Sequence, residues 1–179
     1  VDAHTLGARL ALTLTSGLPD ATLRGKIKDE SILNREVRQA EAKRLMRTDA
    51  GRATLRHFAA QWLNVLLLKS PPAGDGFVAT LDESAAVGKA AYEEVGTLFE
   101  NAVLEGRTLA AFYATDDVVP AHDWLARIYD APKGSALTRP RAPDRKGLLT
   151  RAAFHLHGAI PDWLPLAHRG YNVRVTMLC

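Results

Sequence analysis

The feature that most constrains this chain is the helical spacing of its apolar residues, which is most regular between Asp82 and Gly106. Apolar side chains recur there at intervals of three and four residues, which places them on one face of an α-helix. An aspartate before such a stripe is typical of an N-cap, and a glycine after it is typical of helix termination. The pattern predicts a central helix whose inward face is Val87, Ala91, Val95, Leu98, Ala102 and Val103.

The same spacing recurs in other parts of the chain. Pro19 and Asp20 separate the first helix from a short helical turn, and Asp49 is placed to cap a later helix. No stretch alternates apolar and polar residues for long enough to predict a strand, so the sequence predicts an all-α fold, an irregular multi-helix bundle. The predicted inward faces are Leu6, Leu10 and Leu14; Ile32, Leu33, Val37, Ala40 and Met46, with Arg35, Arg38, Glu41 and Lys43 on the polar side; Leu55, Phe58, Trp62 and Leu66; and a short helix from Trp124 to Tyr129.

Composition divides the chain into three segments. Residues 1–131 form the predicted helical domain, within which Lys69 to Thr80 carries the proline and glycine residues of a loop. Residues 132–144 are rich in proline and basic residues, which predicts a linker or an ordered arm. Residues 145–179 form a predicted C-terminal helical segment.

Charge is distributed unevenly along the chain. The formal net charge is +3, but residues 132–179 contain eight Lys or Arg and two Asp, so that part carries +6 and the rest −3. An excess of basic residues favours an acidic partner, which includes nucleic acid, anionic lipid or the acidic face of a protein, and is also typical of a solvated surface. No run approaches the roughly 18 apolar residues of a membrane-spanning helix.

The histidines and the one cysteine do not form a predicted metal site. His155, His157 and His168 are the one cluster of histidines, whereas a metal site needs three or four converging ligands. The spacing of His155 and His157 places them on different faces of a helix, so we expect partly exposed side chains that bind no metal. Cys179 has no partner for an internal disulfide and no adjacent base, so we expect no catalytic role for it.

Adjacent acidic residues do not form a predicted catalytic pair. Asp116 and Asp117 are neighbours in sequence, as are Glu93 and Glu94, and adjacent side chains point apart rather than share a proton. We therefore expect these pairs to be solvent-facing or helix-capping. The basic run from Arg35 to Arg47 is interleaved with Glu36 and Glu41, which predicts surface ion pairs rather than a nucleic-acid-binding helix. No set of nucleophile, base and oxyanion donors can be assembled, so the sequence does not favour an enzyme.

The favoured functional surface lies near the C-terminus. Exposed tryptophan and tyrosine mixed with arginine are the residue types that anchor protein interfaces. The alternative is that Trp163 and Leu166 close the core of the last helix pair. The predicted partner-binding residues are Trp163, Leu164, Leu166, His168, Arg169, Tyr171 and Arg174, with Pro165 between them.

Several pieces of the chain, taken in order, resemble one family. The pieces are Leu10 to Leu23, Phe58-Ala-Ala-Gln-Trp-Leu63, Trp124 to Tyr129, and Arg145 to Cys179 with its Gly147-Leu-Leu-Thr150 start. They resemble a helical domain of unknown function, followed by the start of a cytochrome c-type domain, in large exported cytochrome-like proteins of planctomycetes and myxobacteria. The resemblance implies an exported location, periplasmic or extracellular.

The resemblance also bears on cofactors and partners. The family pattern continues into a Cys-x-x-Cys-His site for haem c, whereas this chain has one cysteine, so no haem ligand is carried over and no cofactor is expected in this chain. The resemblance therefore favours a haem-free scaffold or interaction subunit associated with a c-type cytochrome or a membrane-bound electron-transfer complex. The alternative is a fragment of an exported cytochrome-type oxidoreductase whose haem site lies beyond Cys179. A basic nucleic-acid-binding domain ranks lower, and Val1 in place of Met suggests a removed leader or a piece of a longer chain.

Overall fold

The computed structural model describes residues 2–69, 81–141, 144–156 and 166–178, with the backbone alone at 69, 81–84, 166 and 168–169. These ranges are mostly helical, and their one isolated β-bridge joins Val118 to Thr138. The predicted all-α class is therefore confirmed. The α-helices are α1 (Ala3–Thr15), α2 (Ala21–Lys28), α3 (Arg35–Met46), α4 (Asp49–Trp62), α5 (Leu81–Leu104), α6 (Leu109–Tyr113), α7 (Asp123–Tyr129), α8 (Ala152–Leu156) and α9 (Leu166–Val173).

Shorter helical turns complete the described part. Turns of 3₁₀ helix span Ser31–Leu33, Leu66–Lys69 and Leu148–Thr150, and a π-helical turn, Arg174–Leu178, continues α9. Among the helices of the described ranges, none has both the length and the apolar content that crossing a lipid bilayer requires.

The chain divides into two compact units, Val1–Leu55 and Arg56–Cys179. The boundaries predicted after residues 131 and 144 both fall inside the second unit. Residues 144–156 contribute Leu148, Ala152 and Ala153 to the core of that unit. The division of the chain into three separate structural segments therefore stays a prediction.

The first unit has a small core between α1, α2 and α3. Helix α1 turns Ala3, Gly7 and Ala11 inward, while the three leucines predicted for that face are half-buried. The reason is a close approach: a Cβ atom at Gly7 would overlap the side chain of Ile27, so α2 packs directly against the backbone of α1. The buried apolar residues of this core are Ala3, Ala11, Leu23, Ile27, Ile32 and Leu45.

The predicted division of α3 into an apolar inward face and a polar outward face is wrong in part. Glu41 is buried, whereas Ala40 and Leu33, predicted to face inward, are exposed. Glu41 is four residues from Leu45 and shares its face. Its carboxylate accepts hydrogen bonds from Arg44, whose guanidinium also donates two bonds of 2.9 Å to Asp20. Glu41 and Arg44 therefore form an ion pair as predicted, but the pair is partly buried rather than on the surface.

Helix α4 begins at Asp49, but the cap comes from the preceding residue. The hydroxyl of Thr48 accepts a hydrogen bond of 3.1 Å from the backbone N–H of Gly51, so the prediction that Asp49 is the N-cap is wrong by one residue. Trp62 is half-buried, as a core residue can be, whereas Phe58 and Leu66 are exposed and the prediction of core positions for them is wrong.

Helix α5 is the centre of the second unit. The predicted inward residues from Val87 to Ala102 are buried, and Val103 is half-buried. The helix starts at Leu81, so Asp82 lies within it rather than capping it, and Gly106 follows the helix with a φ of 69°, as predicted for a terminating glycine. Apolar side chains from α6, α7 and α8 pack against the same core.

Candidate functional site

A buried carboxylate lies in the middle of the second unit. Glu94 of α5 is 0% exposed. One of its oxygens accepts a hydrogen bond of 2.6 Å from the hydroxyl of Tyr129, and the other accepts a bond of 3.0 Å from the backbone N–H of Val119. The hydroxyl of Tyr129 in turn accepts a bond of 2.7 Å from the backbone N–H of Ala152. This one side chain of α7 therefore connects α5 to the start of α8.

A buried arginine covers the other side of the same tyrosine. Arg151 is also 0% exposed, and its guanidinium carbon lies 5.4 Å from the centroid of the Tyr129 ring, within the range of a cation–π contact. The guanidinium donates to the backbone carbonyls of Arg145, Gly147 and Asp117, at 2.7 to 3.3 Å, and to the hydroxyl of Thr150 at 3.0 Å. We call Glu94, Tyr129 and Arg151 the buried polar network.

Burial perturbs the acid–base behaviour of all three groups. Desolvation raises the pKa of Glu94 to about 7, against the opposing effects of the hydrogen bonds from Tyr129 and Val119 and of the Arg151 charge. Burial, followed by the nearby charge of Glu94, raises the pKa of Tyr129. Burial lowers the pKa of Arg151, while the charges on the neighbouring acidic groups oppose that change.

Acid–base groups with perturbed pKa values are often catalytic, but the geometry here points to another role. A catalytic carboxylate has to reach the proton it transfers, whereas Glu94 has no exposed surface, and its two oxygens accept hydrogen bonds from the hydroxyl of Tyr129 and the N–H of Val119. The three side chains join α5, the loop before α7, the end of α7 and the start of α8. The buried polar network therefore organises the second unit.

The predicted solvent-facing role of two acidic pairs is wrong in part. Glu94 is buried, although its neighbour Glu93 is half-exposed and lies 3.6 Å from the guanidinium of Arg56. Asp117 is half-buried and accepts a hydrogen bond of 3.1 Å from Arg107. A sequence signal for Glu94 exists, since it lies three residues after Ala91 and four before Leu98, in the apolar stripe of α5. No comparable signal marks Arg151, whose partners are mostly backbone carbonyls.

The predicted partner-binding residues are placed only in part. Trp163, Leu164 and Pro165 lie outside the described residues, and Leu166, His168 and Arg169 lie on α9 with side chains that are not described. Tyr171 is 63% exposed, and Arg174 is exposed. The role of these residues stays a prediction.

The last helix presents an exposed face in its described part. Val175 and Leu178, four and seven residues after Tyr171, are also exposed, and Leu178 is 76% exposed. Other residues of this helix contact the second unit: the side-chain oxygen of Asn172 accepts a bond of 3.2 Å from Asn64, and Met177 packs against the core. We call Tyr171, Arg174, Val175 and Leu178 the C-terminal face.

The predicted absence of a metal site remains a prediction. No group of three or more potential ligands converges within the described ranges. His155 is exposed on α8, whereas His157 and Cys179 lie outside those ranges.

The basic character of residues 132–179 is less available at the surface than the sequence suggests. Arg151 is buried, the ammonium of Lys133 lies 3.1 Å from the carboxylate of Asp123, and Arg139 lies 4.0 Å from that of Asp117. Three of the eight basic side chains of residues 132–179 are therefore buried or paired with a carboxylate, and the preference of this segment for an acidic partner stays a prediction.

Comparison with known families identifies a matching family model. The model of the PSD4 family, described as "Protein of unknown function (DUF1592)", matches residues 1–131. No curated protein and no solved structure matches the chain. The family match covers α1 to α7, and therefore includes Glu94 and Tyr129 but neither Arg151 nor the C-terminal face.

Proposed function

The chain belongs to the PSD4 family of proteins of unknown function, and we propose that it is a haem-free helical interaction module. Its proposed partner is a c-type cytochrome, free or within a membrane-bound electron-transfer complex, on the exported side of the membrane. The proposed docking surface is the C-terminal face, extended by the predicted residues that precede it.

The observation that carries this proposal is the exposure of Tyr171, Val175 and Leu178 at a spacing of four and seven residues. Asn172, Val173, Thr176 and Met177, which alternate with the exposed residues, are half-buried. Tyr171, Val175 and Leu178 therefore lie on one exposed side of α9 and of the π-helical turn that continues it, and an exposed apolar side is how a helix binds a groove or a second helix. Large apolar side chains that are exposed together mark interaction sites more often than single exposed residues do. Tyrosine and arginine are also among the residues that contribute most to interface energies.

Charge supports an acidic partner. The segment from 166 to 178 contains Arg169 and Arg174 and no acidic residue. A second copy of the same helix would repel it, whereas a surface with carboxylates around an apolar centre would complement it. The resemblance of Arg145 to Cys179 to the start of a cytochrome c-type domain supports a partner from electron transfer.

A photo-reactive amino acid in place of Tyr171 tests the proposal. We expect irradiation in the native exported compartment to join the chain to a protein that carries covalently bound haem, detected by haem staining of the cross-linked band. The matched control places the same amino acid at Leu18, which is exposed in the first unit, and should give no such band. A cross-linked protein without haem, or equal cross-linking from both positions, would contradict the proposal.

The second candidate is a piece of an exported oxidoreductase whose haem site lies beyond Cys179. The same resemblance supports it, because the family pattern continues past this point into a haem-binding motif. The intact mass of the natural polypeptide distinguishes the two candidates. A mass near 19.5 kDa favours the interaction module, whereas a larger polypeptide with bound haem favours the oxidoreductase. The lower-ranked alternative, nucleic-acid binding, predicts an affinity that falls steeply with salt concentration.

A further inference from the structure

The carboxylate of Glu94 is poorly compensated when it is ionised. A carboxylate offers about four acceptor positions, and here it receives one bond from Tyr129 and one from the N–H of Val119, both neutral donors. Arg151 provides a positive charge nearby, but it directs its hydrogen bonds at carbonyl and hydroxyl oxygens rather than at the carboxylate. Burying an ionised group with so few partners is costly, so the folded structure, in which Glu94 is buried, favours the protonated form of its carboxyl group.

The same tyrosine holds residues 144–156 in place. Its hydroxyl accepts the hydrogen bond from the N–H of Ala152, and its ring lies under the guanidinium of Arg151. Leu148 and Ala153 of this segment are buried in the same core. Arg151 of this segment is also close enough for its charge to act on Glu94, so we expect a movement that lifts the segment off Tyr129 to expose Glu94 to water.

We propose that the buried polar network is a proton-controlled latch: residues 144–156 stay closed over Tyr129 while Glu94 is protonated, and open more often once Glu94 loses its proton. The direction of the effect follows from hydration, because water stabilises the ionised carboxylate in the open state more than the two hydrogen bonds and the nearby charge of Arg151 do in the closed state. The burial that raises the pKa of Glu94 to about 7 supports a transition near neutral pH. This inference is independent of the proposed docking surface.

Other charged groups lie near the latch, and a test has to distinguish their effects on the pH dependence from the effect of Glu94. On α5 itself, Glu93 and Glu100 both pair with Arg56 of α4. In the loop before α7, Asp117 pairs with Arg107, and the charge of Asp116 acts on Arg151.

Residues 144–156 and α7 carry further groups of this kind. Arg145 donates to the carbonyl of Thr150. Histidines take up protons near neutral pH, and His122 caps α7 while His155 lies on α8. A Glu94→Gln variant keeps both histidines and all of the surface ion pairs, so it isolates the effect of Glu94.

Amide hydrogen exchange of the full chain, followed by NMR from pH 5 to 8, tests the latch. For the N–H of Ala152, corrected for intrinsic exchange, we expect the opening constant to rise by roughly tenfold per pH unit between about pH 5 and 7 and then to level off. The N–H of Val95, inside α5, should show a smaller opening constant than that of Ala152 at every pH, because the latch opens locally while α5 stays folded. Glu94→Gln should make the profile of Ala152 flat, and Glu93→Gln should leave it as in the wild type.

Two results would overturn the latch. One is a flat profile for Ala152 in the wild-type chain, and the other is an unchanged slope in Glu94→Gln. If Glu94→Gln does not fold, the carboxyl ¹³C shift of Glu94 in the wild-type chain provides the answer. A midpoint near 7 that coincides with the change at Ala152 supports the latch, and a midpoint at the ordinary value for glutamate overturns it.

Discussion

The hydroxyl oxygen of Tyr129 lies 2.6 Å from a carboxylate oxygen of Glu94, and neither side chain is exposed to solvent. The tyrosine donates to the carboxylate and accepts from the backbone of Ala152, so one hydroxyl group satisfies two buried polar partners. A buried donor or acceptor left without a partner costs more free energy than a hydrogen bond contributes. Tyr129 therefore connects three helices through an interaction that apolar packing alone cannot supply.

Tyr129→Phe should be strongly destabilising for its small change in volume. The variant removes the donor to Glu94 and leaves the N–H of Ala152 without an acceptor, and we expect a loss of about 3 kcal/mol in the free energy of unfolding. Denaturant titration monitored by tryptophan fluorescence measures it. The matched control is Tyr113→Phe, a half-buried tyrosine whose ring centroid lies 6.0 Å from that of Trp62, and it should change stability by less than about 0.5 kcal/mol. Equal effects at the two positions would argue against a structural role for the Tyr129 hydroxyl.

The stability of the second unit should fall as pH rises toward neutrality because of Glu94. Its pKa is about 7 in the folded chain and 4.5 as the ordinary value, so the folded state binds the proton more tightly than the unfolded state. The stabilisation from protonation is complete below the unfolded pKa, is lost between roughly pH 4.5 and 7, and is absent above that range. The upper limit of the change is about 3 kcal/mol.

The matched variant for this pH effect is Glu94→Gln. The amide keeps an acceptor for Tyr129 but cannot ionise, so its unfolding free energy should be less dependent on pH, and at pH 8 it should equal or exceed that of the wild type. Urea titrations at pH 5, 6, 7 and 8 measure both proteins. A wild-type slope that persists in the variant would assign the pH dependence to other groups.

The sequence predicts the apolar part of the fold better than its buried polar part. The stripe from Val87 to Ala102 is correct because apolar periodicity reports burial directly. Glu94 and Glu41 lie on such stripes, but a charged residue is usually exposed, and only its partners in space reverse that expectation. Those partners, Tyr129 for Glu94 and Arg44 for Glu41, cannot be inferred from local spacing alone.

The aromatic residues Phe58, Trp62 and Phe99 show a second limit, which concerns how deeply a predicted core residue is buried. Phe58 and Trp62 are one helical turn apart, with ring centroids separated by 6.2 Å, and both were predicted to be core residues. In the structure the rings of Phe58 and Trp62 both pack against Phe99, at interplanar angles of 39° and 66°, and Phe58 lies at the exposed edge. Periodicity identifies the face of the helix, whereas the extent of burial depends on which neighbours reach it.

Replacing Arg151 should be costly even though, within the part of the chain that the structure describes, its hydrogen bonds go to carbonyl and hydroxyl oxygens rather than to a carboxylate. Arg151→Leu leaves the carbonyls of Arg145, Gly147 and Asp117 without this donor and removes the positive charge near Glu94. We expect a loss of about 3 to 5 kcal/mol, and little rescue by Arg151→Lys, because an ammonium cannot reproduce the planar set of donors. Thermal unfolding followed by circular dichroism measures both variants. The control, Arg139→Leu, removes an 80% exposed arginine side chain and should change stability by less than about 0.5 kcal/mol.

In the first unit, two glycine-to-alanine substitutions, Gly51→Ala and Gly25→Ala, should have opposite effects on stability, because a Cβ atom meets the backbone at Gly51 and meets no atom at Gly25. A Cβ atom at Gly51 would overlap the carbonyl oxygen of Leu45 and lie 2.8 Å from the Cα of Met46, and these backbone atoms cannot move aside easily. We expect a loss of about 3 kcal/mol. Gly25→Ala in α2 meets no atom within 4 Å and should stabilise the chain by up to about 1 kcal/mol. Opposite signs in denaturant titrations would confirm the tight turn between α3 and α4, and equal signs would contradict it.

The proposed docking of a c-type cytochrome on the C-terminal face predicts how substitutions in that face should change binding. Tyr171→Ala removes a large exposed ring and should weaken binding at least tenfold. Arg174→Glu places a carboxylate opposite the acidic surface expected on the partner and takes the charge of residues 166–178 from +2 to zero, so it should slow association and weaken its salt dependence. Surface plasmon resonance at two salt concentrations measures both effects, and Arg35→Glu, an exposed arginine of the first unit, is the charge-matched control. If both variants bind as the wild type does, the C-terminal face is not the docking surface, and the exposed leucines of the first unit become the next surface to test.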